Sequence, residues 1–304
     1  MTKKILTKSE LAHNFSKIGV QNGDVILIRA SLGSVGIMEY DITSDVGMYA
    51  SMANTFLDAL IEAVGESGTI VSLSFTSGTW IKKPKIEEAY TLNKKSYAGS
   101  LPNAMIKRKN AYRSMHPTCS FVAIGKDARF LTSGHDSKSP AYEPVRKIIE
   151  LEGKCMLVGC VNSSPGFTTT HLAESDLGYL KKYPIFARLN RTYYIDENGL
   201  HKLFRRNDPG LCSQSFYKFY SLYVKEGILQ IGQIGNAYSI LAPAKEAYEI
   251  DFCKLKEDKS FNICENDCCF TCNANRWDRI HKLPIYVMKK ILRLFRKRFY
   301  GTPE

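Results

Sequence analysis

The chain reads CMLVGCVNSSPGFTTTHLAE over residues 155–174. The apolar residues 155–161 lead into a cluster of Ser, Pro, Gly and Thr, a pattern that predicts a buried strand followed by a polar loop. A threonine at or near Thr170 is a suitable N-cap, so a helix is predicted to begin there. A buried strand that leads through a loop into a helix is typical of an α/β sheet.

Two side chains at the start of this helix are suited to proton transfer. His171 falls in the predicted first turn, and Glu174 follows three residues later on the same helix face. The positive end of a helix disfavours imidazolium, which leaves a neutral ring able to accept a proton. Open α/β sheets bind ligands at the carboxyl ends of their strands, where this pair is expected. The alternative is a surface helix start with a solvated His and Glu.

The N-terminal third shows the same alternation of elements. Residues 25–28 and 69–75 are short apolar runs, and residues 51–64 between them carry apolar side chains at helical spacing. Strand, helix and strand at this spacing predict parallel pairing, and therefore an α/β fold with a central, mostly parallel sheet flanked by helices. Later, residues 196–199 form a turn signal between strand-like runs at 186–195 and 200–204.

Composition and charge narrow the class of protein. The 304 residues are 44% hydrophobic and carry a formal net charge of +12, which favours anionic partners. No apolar run approaches the ~20 residues that span a bilayer, and no signal peptide is recognised. The nine cysteines are an odd number without an export signal, so reduced thiols in the cytoplasm are expected. Nucleic-acid binding is not expected, because the basic tail lacks interleaved stacking aromatics or a known module.

Two further segments contain candidate binding residues. Residues 29–36 form a Ser/Gly-rich loop after a strand, and its backbone N–H groups could meet a phosphate or an amide. Its spacing matches neither the dinucleotide fingerprint nor the P-loop, so a plain turn is an equally good interpretation. His116-Pro117 forms a stiff approach to the next strand, and His116 is alternatively a loop histidine fixed by the proline.

Five short segments occur along the chain in a recognisable order. They are Gly23-Asp24 with Ser31-Leu32, Gly68-Thr69 with Ser74-Phe75-Thr76, Arg113-Ser114 with His116-Pro117, Ser139-Pro140 with Gly159, and Thr168 with His171-Leu172-Ala173-Glu174. In order and spacing the chain resembles the aminoglycoside 3-N-acetyltransferase family. The resemblance implies an α/β core with a smaller α+β lobe and a cleft between them, which we assign to residues 1–255.

The resemblance also implies an activity. It is the acetyl-CoA-dependent transfer of an acyl group to a primary amine of an aminoglycoside or related amino sugar, which would link the protein to antibiotic resistance. One departure is Arg29-Ala30, where the family usually has His before Ser-Leu. A protein with a net charge of +12 repels polycationic aminoglycosides, so two alternatives for the function stay open. They are a sugar-nucleotide N-acyltransferase of surface-polysaccharide synthesis, and a non-catalytic, membrane-tethered member of the same scaffold.

The expected mechanism uses His171 as general base and Glu174 to fix its tautomer. Transfer is expected to be direct, since no Cys or Ser stands in a nucleophile motif; Cys119 and Cys160 fall in apolar strands and are expected to be inert. Oxyanion donors are expected near Ser31 and at Thr76 or Thr168. Residues assigned to binding the cofactor are Ser31, Leu32, Gly33, Ser34, Val35, Thr76, Arg113 and His116, with Lys107 as a further candidate for CoA phosphates.

Residues 256–304 are predicted to form a Cys-rich and basic, helical C-terminal extension. Cys264, Cys268, Cys269 and Cys272 have plausible ligand spacing, but no second paired knuckle accompanies them, so no metal is expected. Residues 284–300 predict an amphipathic helix with one apolar stripe, and residues 289–298 contain six basic and no acidic residues. Such a helix is typical of peripheral contact with an anionic inner membrane face; the alternative is a terminal helix docked on the body. The oligomeric state stays open.

Overall fold

The computed structural model describes residues 4–41, 43, 45, 47–80, 82–179, 188–206, 212–267, 269–275 and 280–300. The strands are β1 (Ile5–Leu6), β2 (Val25–Ala30), β3 (Ile37–Met38), β4 (Thr69–Leu73), β5 (Thr79–Trp80), β6 (Tyr112–Arg113), β7 (Phe121–Gly125), β8 (Lys154–Val158), β9 (Asn190–Ile195), β10 (His201–Arg205), β11 (Gln230–Ile234) and β12 (Ala237–Pro243). The α-helices are α1 (Lys8–Lys17), α2 (Met48–Val64), α3 (Ser100–Ile106), α4 (Ala128–Thr132), α5 (Glu143–Glu150), α6 (Thr169–Asp176), α7 (Tyr220–Lys225), α8 (Ala244–Glu257) and α9 (Leu283–Tyr300).

A mixed seven-stranded sheet in the order β11-β12-β8-β2-β4-β7-β6 forms the centre of the protein. β2 pairs in parallel with β4 on one side and with β8 on the other. The outer pairs, β8–β12, β11–β12, β4–β7 and β6–β7, are antiparallel. The predicted α/β class is confirmed, and within this sheet parallel pairing is confined to the three middle strands. β1 and β3 form a separate parallel pair.

The middle of the sheet is buried on both faces. Val25 and Leu27 belong to the core that packs under α4, α5, α6, α7 and α8. Ile26 and Ile28 point to the opposite face and pack with α1, α2 and α3. Alternate residues of a strand point to opposite faces, so a strand covered on both sides must be apolar throughout. This is why the short run at residues 25–28 identified the central strand.

A second, three-stranded sheet has the order β10-β9-β5. The predicted turn at residues 196–199 does connect an antiparallel hairpin, in which His201 pairs with Ile195. The predicted strand start at residues 186–187 lies outside the described residues. The polar, irregular pattern of residues 76–100 predicts a long loop. This prediction missed β5, a strand of two residues in that segment that pairs with β9.

The hairpin β11–β12 also differs from expectation. The pattern of residues 227–237 predicts one strand and a turn, and that of residues 242–254 predicts a helix with Pro243 in its first turn. Instead, residues 237–243 form β12 between β11 and β8, and Pro243 is the N-cap of α8. Pro243 is tolerated because it is the last residue of its strand.

The C-terminal segment contains a π-helical turn at Thr271–Asn275 and then α9. The helix predicted at residues 284–300 is confirmed as a helix. Among the residues that the structure describes, no helix combines the length and the apolar character needed to cross a membrane.

Candidate active site

A cavity of 660 Å³ lies at the carboxyl ends of β2, β4 and β8, and we call it the central cleft. The strand that follows β2 in this part of the sheet, β4, lies on one side of it, and the later strand β8 lies on the other side. In α/β sheets a crevice opens where the strand order reverses in this way. The lining residues are Arg29, Ala30, Ser31, Leu32, Ser72, Leu73, Phe75, Tyr97, Ala98, Gly99, Ser100, Tyr142, Cys160, Ser163, Ser164, Thr168, His171, Arg206 and Ser213.

His171 and Glu174 form a hydrogen-bonded pair at this cleft. His171 is the third residue of α6, whose N-cap position is Thr168, and its Nδ1 lies 2.9 Å from Glu174 Oε2. The carboxylate is only 1% exposed, whereas the imidazole is 13% exposed and lines the cleft. When Nδ1 donates to this carboxylate, Nε2 is the ring nitrogen of a neutral imidazole that carries no proton. The predicted i,i+3 pair is therefore present as a geometric unit.

Further contacts fix the ring and the carboxylate. The Tyr142 ring stacks on His171 with centroids 4.8 Å apart and 17° between planes, and Phe216 packs against the ring at 4.8 Å. Asn262 donates a hydrogen bond from Nδ2 to Glu174 Oε1. Both carboxylate oxygens thus have partners, which a buried charge requires. The sequence analysis did not find Asn262, because it is 88 residues from Glu174.

A buried carboxyl group holds the beginning of α6. Thr169 and Thr170 donate from their hydroxyls to Asp251 Oδ2 at 2.8 and 3.0 Å, and Tyr223 donates to Oδ1 at 2.5 Å. Burial raises the pKa of the Asp251 carboxyl to about 7, although the three hydroxyl donors act to lower it. Sequence reasoning missed Asp251, since a lone Asp in α8 carries no local signal.

The loop that follows β2 packs closely on the end of β8. Ser31 N donates to Val158 O at 2.8 Å, and a Cβ added at Gly159 would come within 2.7 Å of Ser34 Cβ. Gly159 also has a φ of +65°, so glycine is needed there for both conformation and space. Ser31 and Leu32 line the central cleft, Gly33 and Ser34 are exposed, and Val35 is buried.

Two smaller cavities adjoin the central cleft. One of 600 Å³ shares Leu32 and Ser100 with it and is also lined by Gly33. The other, of 630 Å³, shares Gly99 and Ser100 with the cleft and is lined by Lys95 and Lys107. The 31–35 loop therefore borders both the central cleft and the 600 Å³ cavity.

Two arginines contribute positive charge to the central cleft. Arg29 Nη2 donates to Ser164 O at 2.7 Å and to Gly166 O, so it also fixes the loop before α6. Arg206, directly after β10 of the small sheet, also lines the cleft. No Asp or Glu lines this cavity in the part of the chain that the structure describes.

Six of the eight residues assigned to the cofactor by sequence do not line the central cleft: Gly33, Ser34, Val35, Thr76, Arg113 and His116. Thr76 donates its hydroxyl to Pro117 O. The Arg113 guanidinium donates to Ser74 O and to two backbone oxygens, at Leu92 and Lys94. Both side chains therefore stabilise neighbouring backbone segments. That they bind a cofactor stays a prediction.

His116 is completely buried. Its Nδ1 accepts a hydrogen bond from Cys119 N at 3.0 Å, and its ring stacks on His135 with centroids 4.9 Å apart. Burial lowers the pKa of His116 well below its usual value and lowers that of His135 to about 4. This geometry favours the alternative interpretation of His116 as a fixed, neutral histidine.

The cysteine-rich segment contains a cluster that sequence spacing only partly predicted. The sulfurs of Cys264, Cys269 and Cys272 lie together with that of Cys212, all within 4.8 Å of one another. Cys268 lies outside the described residues. Cys212 was missed because it is more than 50 residues away from its partners along the chain.

A sequence model described as aminoglycoside 3-N-acetyltransferase matches residues 42–254. The chain belongs to the aminoglycoside 3-N-acetyltransferase family. One relative is the aminoglycoside N(3)-acetyltransferase III of a Salmonella species, which is 28% identical over 189 residues. The match covers 56% of this chain and 60% of that acetyltransferase, less than two thirds of its length.

Solved structures of acetyltransferases share the fold. The apoenzyme of aminoglycoside acetyltransferase AAC(3)-IVa superposes with a TM-score of 0.71 at 20% identity and covers 92% of this chain and 99% of its own. AAC-IIIb, solved as a binary complex with CoASH, has a TM-score of 0.66 at 22% identity. The match covers 84% of this chain and 97% of the AAC-IIIb chain. These structures confirm the predicted fold, and the family model that matches residues 42–254 confirms the family resemblance stated from the five sequence segments.

Proposed function

We propose that this member of the aminoglycoside 3-N-acetyltransferase family transfers an acetyl group from acetyl-CoA to a primary amine of an amino sugar. The observation that supports this most directly is the His171–Glu174 pair at the central cleft. Amine acylation needs a general base, because only a neutral amine is nucleophilic. An imidazole with one nitrogen held by a carboxylate and the other free to accept a proton can act as that base.

In the proposed reaction, the amine nitrogen attacks the thioester carbonyl carbon, and Nε2 of His171 removes a proton from the amine. The C–S bond then breaks, and the imidazolium returns the proton to the departing CoA thiolate. Glu174 stabilises the imidazolium between these steps. The hydroxyls of Ser31 and Thr168 line the cleft and are our candidates for donors to the thioester oxyanion.

Acetyl-CoA is proposed to lie along residues 31–35. The cavity beside Gly33 and the cavity with Lys95 and Lys107 both share lining residues with the central cleft, and lysines are suited to CoA phosphates. AAC-IIIb, which shares the fold, was solved as a binary complex with CoASH, and this supports a CoA thioester as the co-substrate. A reaction that uses a CoA thioester agrees with the cytoplasmic location expected from sequence.

An anionic amino sugar, such as a sugar nucleotide, is a second candidate for the acceptor. The specific observation in its favour is the lining of the cleft, where Arg29 and Arg206 face the space and no described carboxylate does. A polycationic aminoglycoside would meet repulsion there, whereas a phosphate group would be attracted.

The test is release of CoA thiol from acetyl-CoA with three matched acceptor panels: aminoglycosides, neutral amino sugars and nucleotide-linked amino sugars. Acceptor-dependent release with any panel supports the transferase, and the panel with the highest kcat/KM assigns the acceptor. Absence of release with all three, from protein that binds acetyl-CoA, would favour the non-catalytic alternative.

We also propose peripheral contact of α9 with an anionic membrane. Ile285, Met288 and Leu292 are each more than half exposed, and Lys289 and Lys290 are exposed beside them. Apolar and basic side chains displayed together favour the interface of an anionic bilayer. The full chain should sediment with phosphatidylserine vesicles at low salt but not with phosphatidylcholine vesicles; equal behaviour with both would contradict the proposal.

A further inference from the structure

Four cysteines converge outside the proposed active site. Cys212 comes from the loop between β10 and α7, whereas Cys264, Cys269 and Cys272 come from the segment after α8. Every pair of their sulfurs lies within 4.8 Å. Cys272 is 2% exposed and Cys264 is also buried, so the cluster has a closed inner side.

The separation of the sulfurs is close to that of a tetrahedral thiolate site. With Zn–S bonds of ~2.3 Å, the sulfurs of a tetrahedron lie about 3.8 Å apart. The observed upper limit of 4.8 Å therefore requires a contraction of no more than about 1 Å. Four soft thiolate ligands in this geometry select zinc over oxygen-seeking cations such as Mg²⁺ or Ca²⁺.

We propose that Cys212, Cys264, Cys269 and Cys272 bind one Zn²⁺ ion in a closed structural site. Four protein ligands complete the coordination, which leaves no position for a substrate or a reactive water. The site is thus distinct in position and in chemistry from the His171–Glu174 pair. Binding replaces the thiol protons of the ligands with a single divalent cation.

The surroundings of the sulfurs support thiolates. Gln214 N donates to Cys212 Sγ at 3.4 Å, and the backbone of Cys272 hydrogen-bonds to the Cys269 sulfur. Such N–H···S contacts orient the ligands and stabilise their charge. Lys218 Nζ donates to Ile263 O at 3.2 Å, and this contact fixes the backbone directly before Cys264.

The proposed zinc site would connect two segments that build the active site. Ser213, next to Cys212, lines the central cleft, and Phe216 packs on His171. Asn262, two residues before Cys264, donates to Glu174. One ion would therefore fix the cleft wall and the donor to the orienting carboxylate together, and would do so without touching substrate.

The first test is the metal content of full-length protein purified under reducing, chelator-free conditions. About one zinc per chain is expected. Cys212→Ser should lower it severalfold, while the matched control Cys253→Ser, at an exposed cysteine outside the cluster, should leave it unchanged. A zinc content near zero in the wild-type chain, or equal contents in the two variants, would overturn the proposal.

Cobalt replacement gives a second readout that does not depend on how the variants fold. Wild-type protein reloaded with Co²⁺ should show intense sulfur-to-cobalt charge-transfer bands and the visible d–d bands of a tetrahedral site. Octahedral bands without charge transfer, or two disulfides in place of four titratable thiols, would refute a four-thiolate site. Neither measurement uses acetyl transfer, so failure of the proposed function would leave the result intact.

Discussion

Asn262 donates a hydrogen bond to Glu174, and the donor comes from the segment that the sequence analysis assigned to a C-terminal extension beginning at residue 256. Glu174 in turn holds Nδ1 of His171. The orientation of the candidate base therefore depends on a residue beyond the range 42–254 that the family model matches. Structurally, the segment up to residue 262 is part of the active-site architecture.

Asn262→Ala should weaken both folding and catalysis. It leaves a buried carboxylate oxygen without its donor, which costs about 1–3 kcal/mol of unfolding free energy. We expect kcat to fall about tenfold with little change in the KM for acetyl-CoA. In a Glu174→Gln background the same substitution should have a clearly smaller effect on kcat; additive effects would mean that Asn262 does not act through Glu174.

His171→Ala should reduce kcat by ~10²–10⁴, because the general base is removed while the cleft is retained. Steady-state thiol release and thermal unfolding would be measured together. His201→Ala, at an exposed histidine of β10, is the matched control and should retain wild-type turnover. Full turnover by the His171 variant would eliminate the proposed mechanism.

Arg206→Ala should raise the KM for an anionic acceptor by about tenfold, as expected when one charge-assisted contact worth ~1.5 kcal/mol is lost. Arg205→Ala is a close control, because the neighbouring side chain is exposed and does not line the cleft. The effect should shrink as salt is added. If both variants gave the same KM, the cationic lining would have no part in acceptor binding.

Gly33→Leu should impair acetyl-CoA binding without destabilising the fold. A Cβ at Gly33 meets no atom within 4 Å, and the residue borders the 600 Å³ cavity proposed for the cofactor. We expect an unchanged melting temperature, a raised KM for acetyl-CoA and a smaller rise for Gly33→Ala. An unchanged KM in the leucine variant would place the pantetheine elsewhere.

Asp251→Asn should change how stability depends on pH. The folded carboxyl has a pKa of about 7 against an ordinary value of 3.8, so the folded state binds more protons than the unfolded chain between these values. Its contribution to the free energy of unfolding therefore falls as pH rises from about 4 to about 7. His135 acts oppositely: its folded pKa of about 4 makes its contribution rise with pH up to its ordinary 6.5.

In Asp251→Asn the rise of the unfolding free energy with pH that His135 causes is no longer opposed by the titration of Asp251. Between pH 5 and pH 7, the asparagine variant should gain about 1–3 kcal/mol more unfolding free energy than the wild-type chain. Urea unfolding at the two pH values would measure this difference. An equal or smaller gain in the variant would show that Asp251 titrates near its ordinary pKa.

Local pattern was sufficient where short-range physics dominates. Residues 25–28 and 155–158 are apolar because their strands are covered on both faces, and this predicted two buried strands. The i,i+3 spacing of His171 and Glu174 predicted their contact because helix geometry alone sets it. The two-residue strand β5 and the strand β12 were missed, because their pairing depends on distant partners rather than on a strong local pattern.

The sequence by itself thus determined the α/β class, the family and the histidine–carboxylate pair, since each depends on residues that are near one another in the chain or on their order. Only the tertiary structure decided which distant groups complete the site. Asn262 at Glu174, Asp251 under the N-terminus of α6, and Cys212 among the later cysteines were brought together by chain folding. Such contacts form when packing of the whole core places two remote segments side by side. The local sequence of either segment contains no pattern that predicts the other.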